Sequence, residues 1–360
     1  MNLKQLRAAA PIALLLAGCT ARGLGDSVTS PVKPDETVTF YTSAAWPAAE
    51  SGAWQADVRG IIFENEKRPL LAAALRKMLG LHRDELPPAE RTLLDQRVDL
   101  FMADNERGKA IPALLAGLPC ELPPSAPNGH FSATLTFPGK PPGPVTISAV
   151  LPDNDPRAFS GLLLLIPDND KPLIVSDVDD TIKITEVRDR RAAIRHTFCQ
   201  PFAPVPGMAE KYRQWAAAGA AFQYVSGSPW QLYTPLETFV RENNFPPGAW
   251  HLKHLRLADP STLLAFLGPQ EEHKLSAIRP FLQHWKQRPL VLIGDTGEQD
   301  PEIYARLARE NPARIARIFL HNITGETRDN PRLTAACKDI PAEKWTLFDK
   351  AEELPAKLSP

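Results

Sequence analysis

The chain has 360 residues, 43% of them hydrophobic and 23% charged, which is a globular composition long enough for two domains. Its 41 Lys+Arg against 42 Asp+Glu leave a net charge of -1, which excludes the strong basicity of a dedicated nucleic-acid binder. Four cysteines exclude a disulfide scaffold, and 37 prolines, about twice the usual share, predict many stiff loops.

Lys4 and Arg7 open the chain, and an apolar run from Ala8 to Ala17 follows, too short to span a bilayer as a helix. It ends in Leu16-Ala17-Gly18-Cys19. This stretch resembles a bacterial lipobox, which implies cleavage after residue 18, lipidation of Cys19 and a lipid-anchored lipoprotein of the cell envelope. Thr20 after the cysteine implies an outer-membrane address. Residues 20–35 are small and polar and are expected to be a tether that begins at Cys19.

Residues 36–166 are expected to form a β-rich, sandwich-like domain with a helical insertion. Strand patterns occur at Val38-Thr39-Phe40-Tyr41, Ala56 to Phe63, His130 to Phe137, Val145 to Val150 and Gly161 to Ile166. Two helical patterns interrupt them, Leu70 to Leu79 and Ala89 to Met102. No motif in this half carries chemistry. From residue 167 to the end the rhythm becomes strand, loop, helix. Short apolar strands begin at Leu173, Ala221, Leu290 and Ile315 and alternate with amphipathic helices, which predicts a mostly parallel α/β sheet covered on both faces. Ligands of such sheets sit at the carboxyl ends of the strands.

Chemistry-bearing residues follow three of those strands. After the first comes Asp177-Val178-Asp179-Asp180-Thr181. Two carboxylates at i and i+2 past a strand end can reach one crevice, one as nucleophile and the other as acid and base. After the second strand comes Ser226-Gly227-Ser228-Pro229, where Ser226 can hold a phosphate oxygen; Ser228 before Pro229 reads as a helix N-cap. Lys274 stands at the start of a helix, where it can neutralise anionic oxygens. After the third strand comes Gly294-Asp295-Thr296-Gly297-Glu298-Gln299-Asp300, with Asp295 placed to ligate a hard cation opposite Asp177.

Taken in order, these segments resemble the haloacid dehalogenase superfamily. The stretches 177–185, 224–233, 245–248 and 294–304 resemble the catalytic domain of the actin-patch phosphatidate phosphatase family. The resemblance covers about half the chain and implies a Rossmann-like parallel sheet of haloacid dehalogenase type. It implies Mg²⁺ as cofactor, held by Asp177, Asp179 (through its carbonyl) and Asp295, with Asp300 supporting that shell. Asp177 is then the nucleophile and Asp179 the acid/base; Thr181 and Ser226 position the phosphate and Lys274 neutralises it. The implied reaction is hydrolysis of a phosphomonoester, phosphatidate or a related lipid phosphate, through an aspartyl-phosphate, with the membrane reached by the N-terminal anchor and no nucleic-acid partner. Two rivals remain: a phosphatase for a soluble envelope phosphate ester, and a surface binding lipoprotein with a vestigial phosphatase domain. His321-Asn322 stands where the family tends to show an Arg-Asp pair. Short spacings between Thr181, Ser226 and Lys274 leave room for a small lid only. Arg188, Arg190, Arg191, Arg195 and His196 read as a solvated helix face that anionic lipid can meet, and Trp230, Tyr233, Leu236 and Phe239 read as core.

Overall fold

The computed structural model describes residues 29–49, 52–139, 145–152, 155–254 and 270–358. The expected signal segment 1–18, Cys19 and the first part of the tether lie outside the described residues.

Among the described residues, the front half is built from nine strands: β1 (Glu36–Phe40), β2 (Ser43–Pro47), β3 (Ala53–Glu64), β4 (Asp104–Asn105), β5 (Ile111–Leu115), β6 (Leu118–Leu122), β7 (His130–Pro138), β8 (Val145–Ala149) and β9 (Ser160–Leu165). Two helices, α1 (Pro69–Met78) and α2 (Pro88–Leu100), are inserted between β3 and β4. The strands form one hydrogen-bonded sheet in the order β1-β3-β2-β9-β8-β5-β6, with β4 and β7 also paired to β3. Along β3 buried and less buried residues alternate, as a half-buried strand requires. The sheet curls over its own core: Val58 and Phe131 at one end share a cluster with Ile111, Leu115 and Leu122 at the other. Gly60 permits that closure, because a Cβ there would lie 2.4 Å from the Phe131 ring and 2.4 Å from the Thr39 carbonyl. β2, β5 and β6 escape the sequence patterns; Pro112 and Pro119 disguise the last two, since proline is rare inside strands.

Among the described residues, the second half holds six strands, β10 (Leu173–Ser176), β11 (Ala221–Pro229), β12 (Ala249–Lys253), β13 (Leu290–Asp295), β14 (Ile315–His321) and β15 (Trp345–Phe348). Its helices are α3 (Arg190–Phe198), α4 (Met208–Ala217), α5 (Tyr233–Glu242), α6 (Glu271–His284), α7 (Asp300–Glu310) and α8 (Pro331–Ala336). All neighbouring strands run parallel, in the order β12-β11-β10-β13-β14-β15. Alternate residues feed two cores. Ile174, Tyr224 and Ile293 pack with α4 and α5 residues such as Tyr212 and Leu236, and also with Leu75 of α1 and Val98 of α2. Leu173, Val175, Leu292 and Leu320 pack on the other face with α6 and α7 residues such as Ile278 and Leu307. The chain order reverses between β10 and β13, so a crevice opens outside their carboxyl ends.

The two halves are joined by polar contacts as well. Tyr233 Oη accepts the Thr42 N–H at 2.8 Å, Arg59 lies 3.0 Å from His251 Nδ1, and the Trp285 indole donates to the Ile166 carbonyl at 2.9 Å. Arg97 of α2 donates to the Thr197 carbonyl at 2.5 Å and caps the end of α3. Cys120, Cys199 and Cys337 are all unpaired.

Candidate active site

The site forms at the reversal of strand order. Asp177 follows β10 directly, and its N–H donates to the Ile293 carbonyl at 2.9 Å, which carries the ladder with β13 one residue past the strand. The chain then turns tightly: Ile182 and Lys183 both donate to the Val178 carbonyl at 3.0 Å. Asp180 holds this turn at a positive φ of 51°. Its carboxylate accepts the N–H groups of Thr185, Glu186 and Val187 at 2.7, 2.8 and 2.7 Å. Asp180 therefore organises the loop, with both of its oxygens engaged by backbone.

This turn carries Lys183 back onto Asp179, with Nζ 2.7 Å from Oδ1, where the Thr185 hydroxyl also donates at 2.7 Å. From the end of β11, Ser226 and Ser228 donate to Asp179 Oδ2 at 3.2 and 3.0 Å. Burial alone would raise the Asp179 pKa; the Lys183 charge and these donors outweigh it and hold the carboxyl below its ordinary value. The expected N-cap role of Ser228 is not what the structure shows. β11 continues through Pro229, which is in register with Lys253 of β12, and α5 starts only at Tyr233. Ser228 is part of the site.

Lys274, in the first turn of α6, is fully buried and lies 2.8 Å from Asp177 Oδ1; it also pairs with Asp300. Asp300 opens α7 and accepts the Asp295 N–H at 3.3 Å. Gly294 leaves room for it, since a Cβ there would stand 2.1 Å from Asp300 Oδ2. Asp295 Oδ1 accepts the N–H groups of Gly297 and Glu298 at 2.6 and 3.2 Å. The second oxygens of Asp177 and Asp295, and the Thr181 hydroxyl, are buried without a partner. Carboxylate oxygens of Asp177, Asp295 and Asp300 come within 4.8 Å of one another. The structure thus unites three of the four expected metal-binding aspartates, while the side chain of Asp179 is engaged by lysine and serines.

A divalent cation fits this donor set. The candidate ligand atoms are carboxylate oxygens, as a hard cation prefers, with the Lys274 ammonium beside them. Five acids, Asp177, Asp179, Asp295, Glu298 and Asp300, interact with two lysines, Lys183 and Lys274. Burial, together with that surplus of negative charge, pushes three pKa values up. Burial raises Asp177 and Asp295 well above the ordinary range, helped for both by the charge of Asp300, and burial raises Glu298 to about 7. Lys274 moves up despite burial, because Asp177 and Asp300 stabilise its charge.

An acid with a raised pKa binds its proton in the folded state where the unfolded state has released it, so stability falls as pH rises through that window. In EDTA, the urea midpoint is expected to drop between pH 5 and pH 8, and Mg²⁺ is expected to restore it most at pH 8. A midpoint that rises with pH in EDTA would refute the charge surplus.

Several residues of the site were not singled out from sequence. Lys183 stands four residues after Asp179 and reaches it across the tight Asp180 turn, where the two residues form an isolated bridge. Glu298 lies inside a quoted motif. Gln270 packs against Gly227 and donates to Glu298 Oε1 at 2.6 Å. His321 donates to the Asp180 carbonyl across 2.6 Å and so ties β14 to the loop that follows β10. In the basic cluster, Arg195 is bound to Glu90 at 2.7 Å and His196 lies 3.5 Å from Glu186, whereas Arg188, Arg190 and Arg191 are exposed. Trp230, Tyr233, Leu236 and Phe239 are buried, as expected.

Residues 173–322 match the family model described as phosphatidate phosphatase APP1, catalytic domain. Over 162 residues the chain is 32% identical to phosphatidate phosphatase APP1 of Saccharomyces cerevisiae, which covers 44% of this chain and 27% of that protein. Over 159 residues it is 32% identical to an uncharacterized protein of Schizosaccharomyces pombe, 42% of this chain and 25% of that one. The chain thus spans about a quarter of the length of these curated relatives. The matched segment contains all five acids and both lysines of the site, and in that segment this chain is similar to the catalytic domain of APP1-type phosphatidate phosphatases.

Proposed function

We propose that the chain is a Mg²⁺-dependent phosphoric monoester hydrolase of haloacid dehalogenase type that acts on phosphatidate or a related lipid phosphate. The observation that carries this reading is the pair of partnerless buried oxygens, on Asp177 and Asp295, beside the buried Lys274. Asp177, Asp295 and Asp300 would hold the cation, together with the Asp179 carbonyl. When bound, Mg²⁺ supplies positive charge to the phosphoryl oxygens.

In this reading Asp177 attacks phosphorus, an aspartyl-phosphate forms and the ester P–O bond breaks. Lys274 offsets the charge on the nucleophile and the phosphoryl group. The Thr181 hydroxyl, buried and without a partner, is free to donate to a phosphate oxygen, and Ser226 stands beside it on the same crevice. Asp179 gives a proton to the leaving oxygen. An arriving phosphate dianion raises its proton affinity for that step. In the second step the ionised Asp179, already stabilised by Lys183, takes a proton from the water that attacks the aspartyl-phosphate. The lipid arm has separate support. A cavity of about 640 Å³ adjoins the loop after β10, with Ile184, Val205, Pro206 and Ile323 as an apolar part of its wall and Glu186, Arg188, Asp189, Asp349, Lys350 and Glu352 as a charged part. It offers room for the apolar part of a carrier. Membrane attachment through Cys19 in the outer membrane belongs to the same proposal, and the sequence Leu16-Ala17-Gly18-Cys19 supports it.

The test is phosphate release by the full chain from phosphatidate in mixed micelles and from a small aryl phosphate, with Mg²⁺ and with EDTA. Release from both, abolished by EDTA, is the expected result. Release from the aryl phosphate alone would keep the chemistry and discard the lipid. No release from either would sink the proposal.

A further inference from the structure

Residues 110–120 carry no charged side chain. They form the hairpin β5–β6, whose turn residues Ala116 and Gly117 both have positive φ, 52° and 81°. Such a turn matches the twist of the flanking strands and makes a rigid tip. Four large apolar side chains are exposed among the described residues, and three gather here: Leu114, Leu118 and Val150, at 38%, 47% and 46% exposure. Val150 lies lower, on the β8 side, where its N–H donates to the Pro112 carbonyl at 2.8 Å at the level of Glu121, so the tip itself exposes Leu114 and Leu118.

The tip is apolar on both sides. Leu114 is opposite Pro119 and points away from the core, in the outward phase of β5. Leu118 is opposite the buried Leu115 and so shares the other face. A protein partner docks on one face; a lipid interface surrounds what enters it. Pairing with a second copy at the free edge of β6 is also blunted. Leu115 and Leu118 flank the two-residue turn and exchange hydrogen bonds, so the next pair directs its backbone groups outward. Pro119 stands in that pair and has no N–H to offer.

We propose that the β5–β6 hairpin inserts its tip into the interfacial region of a lipid bilayer. Toward the body of the protein the first charged residue on β6 is Glu121, and Lys109 before β5 is buried in an ion pair with Glu36. Glu121 stands four positions beyond Gly117 and Lys109 seven before Ala116, and at about 3.3 Å per residue both exceed the ~5–10 Å depth of interfacial insertion. The described chain enters at the base of the same hairpin: the Ser30 N–H donates to the Gly108 carbonyl at 3.0 Å, and Ala110 donates to Ser30 at 2.9 Å. Cys19 precedes Ser30 by eleven residues, a reach of about 36 Å, so a lipid on Cys19 and the hairpin can engage one membrane. The inference deepens the proposed membrane-attached lipid phosphatase and rests on that reading for the presence of a bilayer.

The test uses the full chain with Cys19→Ser, so that no lipid is attached, Cys120→Ser, and Ala116→Cys labelled with an environment-sensitive fluorophore at the tip. With phosphatidylcholine vesicles the emission is expected to shift blue and to be quenched by brominated acyl chains. Leu114→Glu with Leu118→Glu is expected to raise the lipid concentration for half-maximal shift about tenfold or more, with aryl-phosphate turnover and melting temperature unchanged. Emission that stays water-like at saturating lipid would overturn the proposal, as would equal response of parent and double variant. A parent that is a dimer, becomes a monomer in the double variant and shifts without lipid would assign the tip to a second copy instead. Failure of the phosphatase reading shows in turnover alone and leaves the tip signal in place.

Discussion

Asp177→Asn is expected to lower kcat by about 10⁴-fold or more while the protein stays folded. The amide keeps the volume and removes the nucleophilic oxygen, so the aspartyl-phosphate cannot form. Stability should move the other way. Burial and the neighbouring acids disfavour the Asp177 carboxylate, which ionises with difficulty in the fold. Above its ordinary pKa that ionisation costs the folded state free energy, and the neutral amide does not incur it. Lys274 keeps Asp300 as a partner in the variant. In EDTA at pH 8 the variant should therefore melt no lower than the parent, and above it once the charge surplus is reduced. Turnover of the aryl phosphate and thermal melts on the same preparation read both effects. Residual activity within tenfold of the parent would remove Asp177 from the role of nucleophile.

Lys274→Ala is the complementary case, expected to lose activity and stability together. Lys274 is wholly buried between Asp177 and Asp300, with Glu298 Oε2 at 3.9 Å. Removing the ammonium leaves buried carboxylates without their cation, at a cost of about 3–5 kcal/mol. Urea unfolding in EDTA at pH 8 measures it. Two features separate this from a generic packing defect. The loss should shrink toward pH 5, where the acids can take up protons, and Mg²⁺ should recover part of the stability without recovering turnover. A pH-independent loss would mean that Lys274 serves packing, and the electrostatic account of the site would fail.

The parallel sheet was legible because its central strands are buried on both faces. Leu173-Ile174-Val175 and Leu290-Val291-Leu292-Ile293 are unbroken apolar runs, a pattern that few other structures produce. The two edge strands were not: β12 reads Ala-Trp-His-Leu-Lys, and β15 is four residues long. The acidic positions were legible because chemistry places them immediately after strand ends. Ser228 was misread because Ser-Pro is a good helix start by local rules, whereas pairing with β12 keeps the chain extended to Pro229. Lys183 was passed over since its partner depends on the turn that Asp180 imposes, a tertiary fact. The packing of α1 and α2 against the parallel sheet left no trace in periodicity, which reports that a face is apolar and not what covers it.

That shared packing has a consequence for how the chain can be divided, by experiment or by evolution. Leu75, Leu94 and Val98 from the insertion are buried in the same cluster as Ile174, Tyr212 and Phe239. A truncation that keeps only the catalytic segment would leave one side of its sheet unroofed, and the exposed apolar surface would favour aggregation over folding. The front half, which brings no reactive group of its own, thereby becomes a condition for the solubility of the half that does. The two halves should melt as one cooperative unit, and loss of the first should be felt as loss of the second.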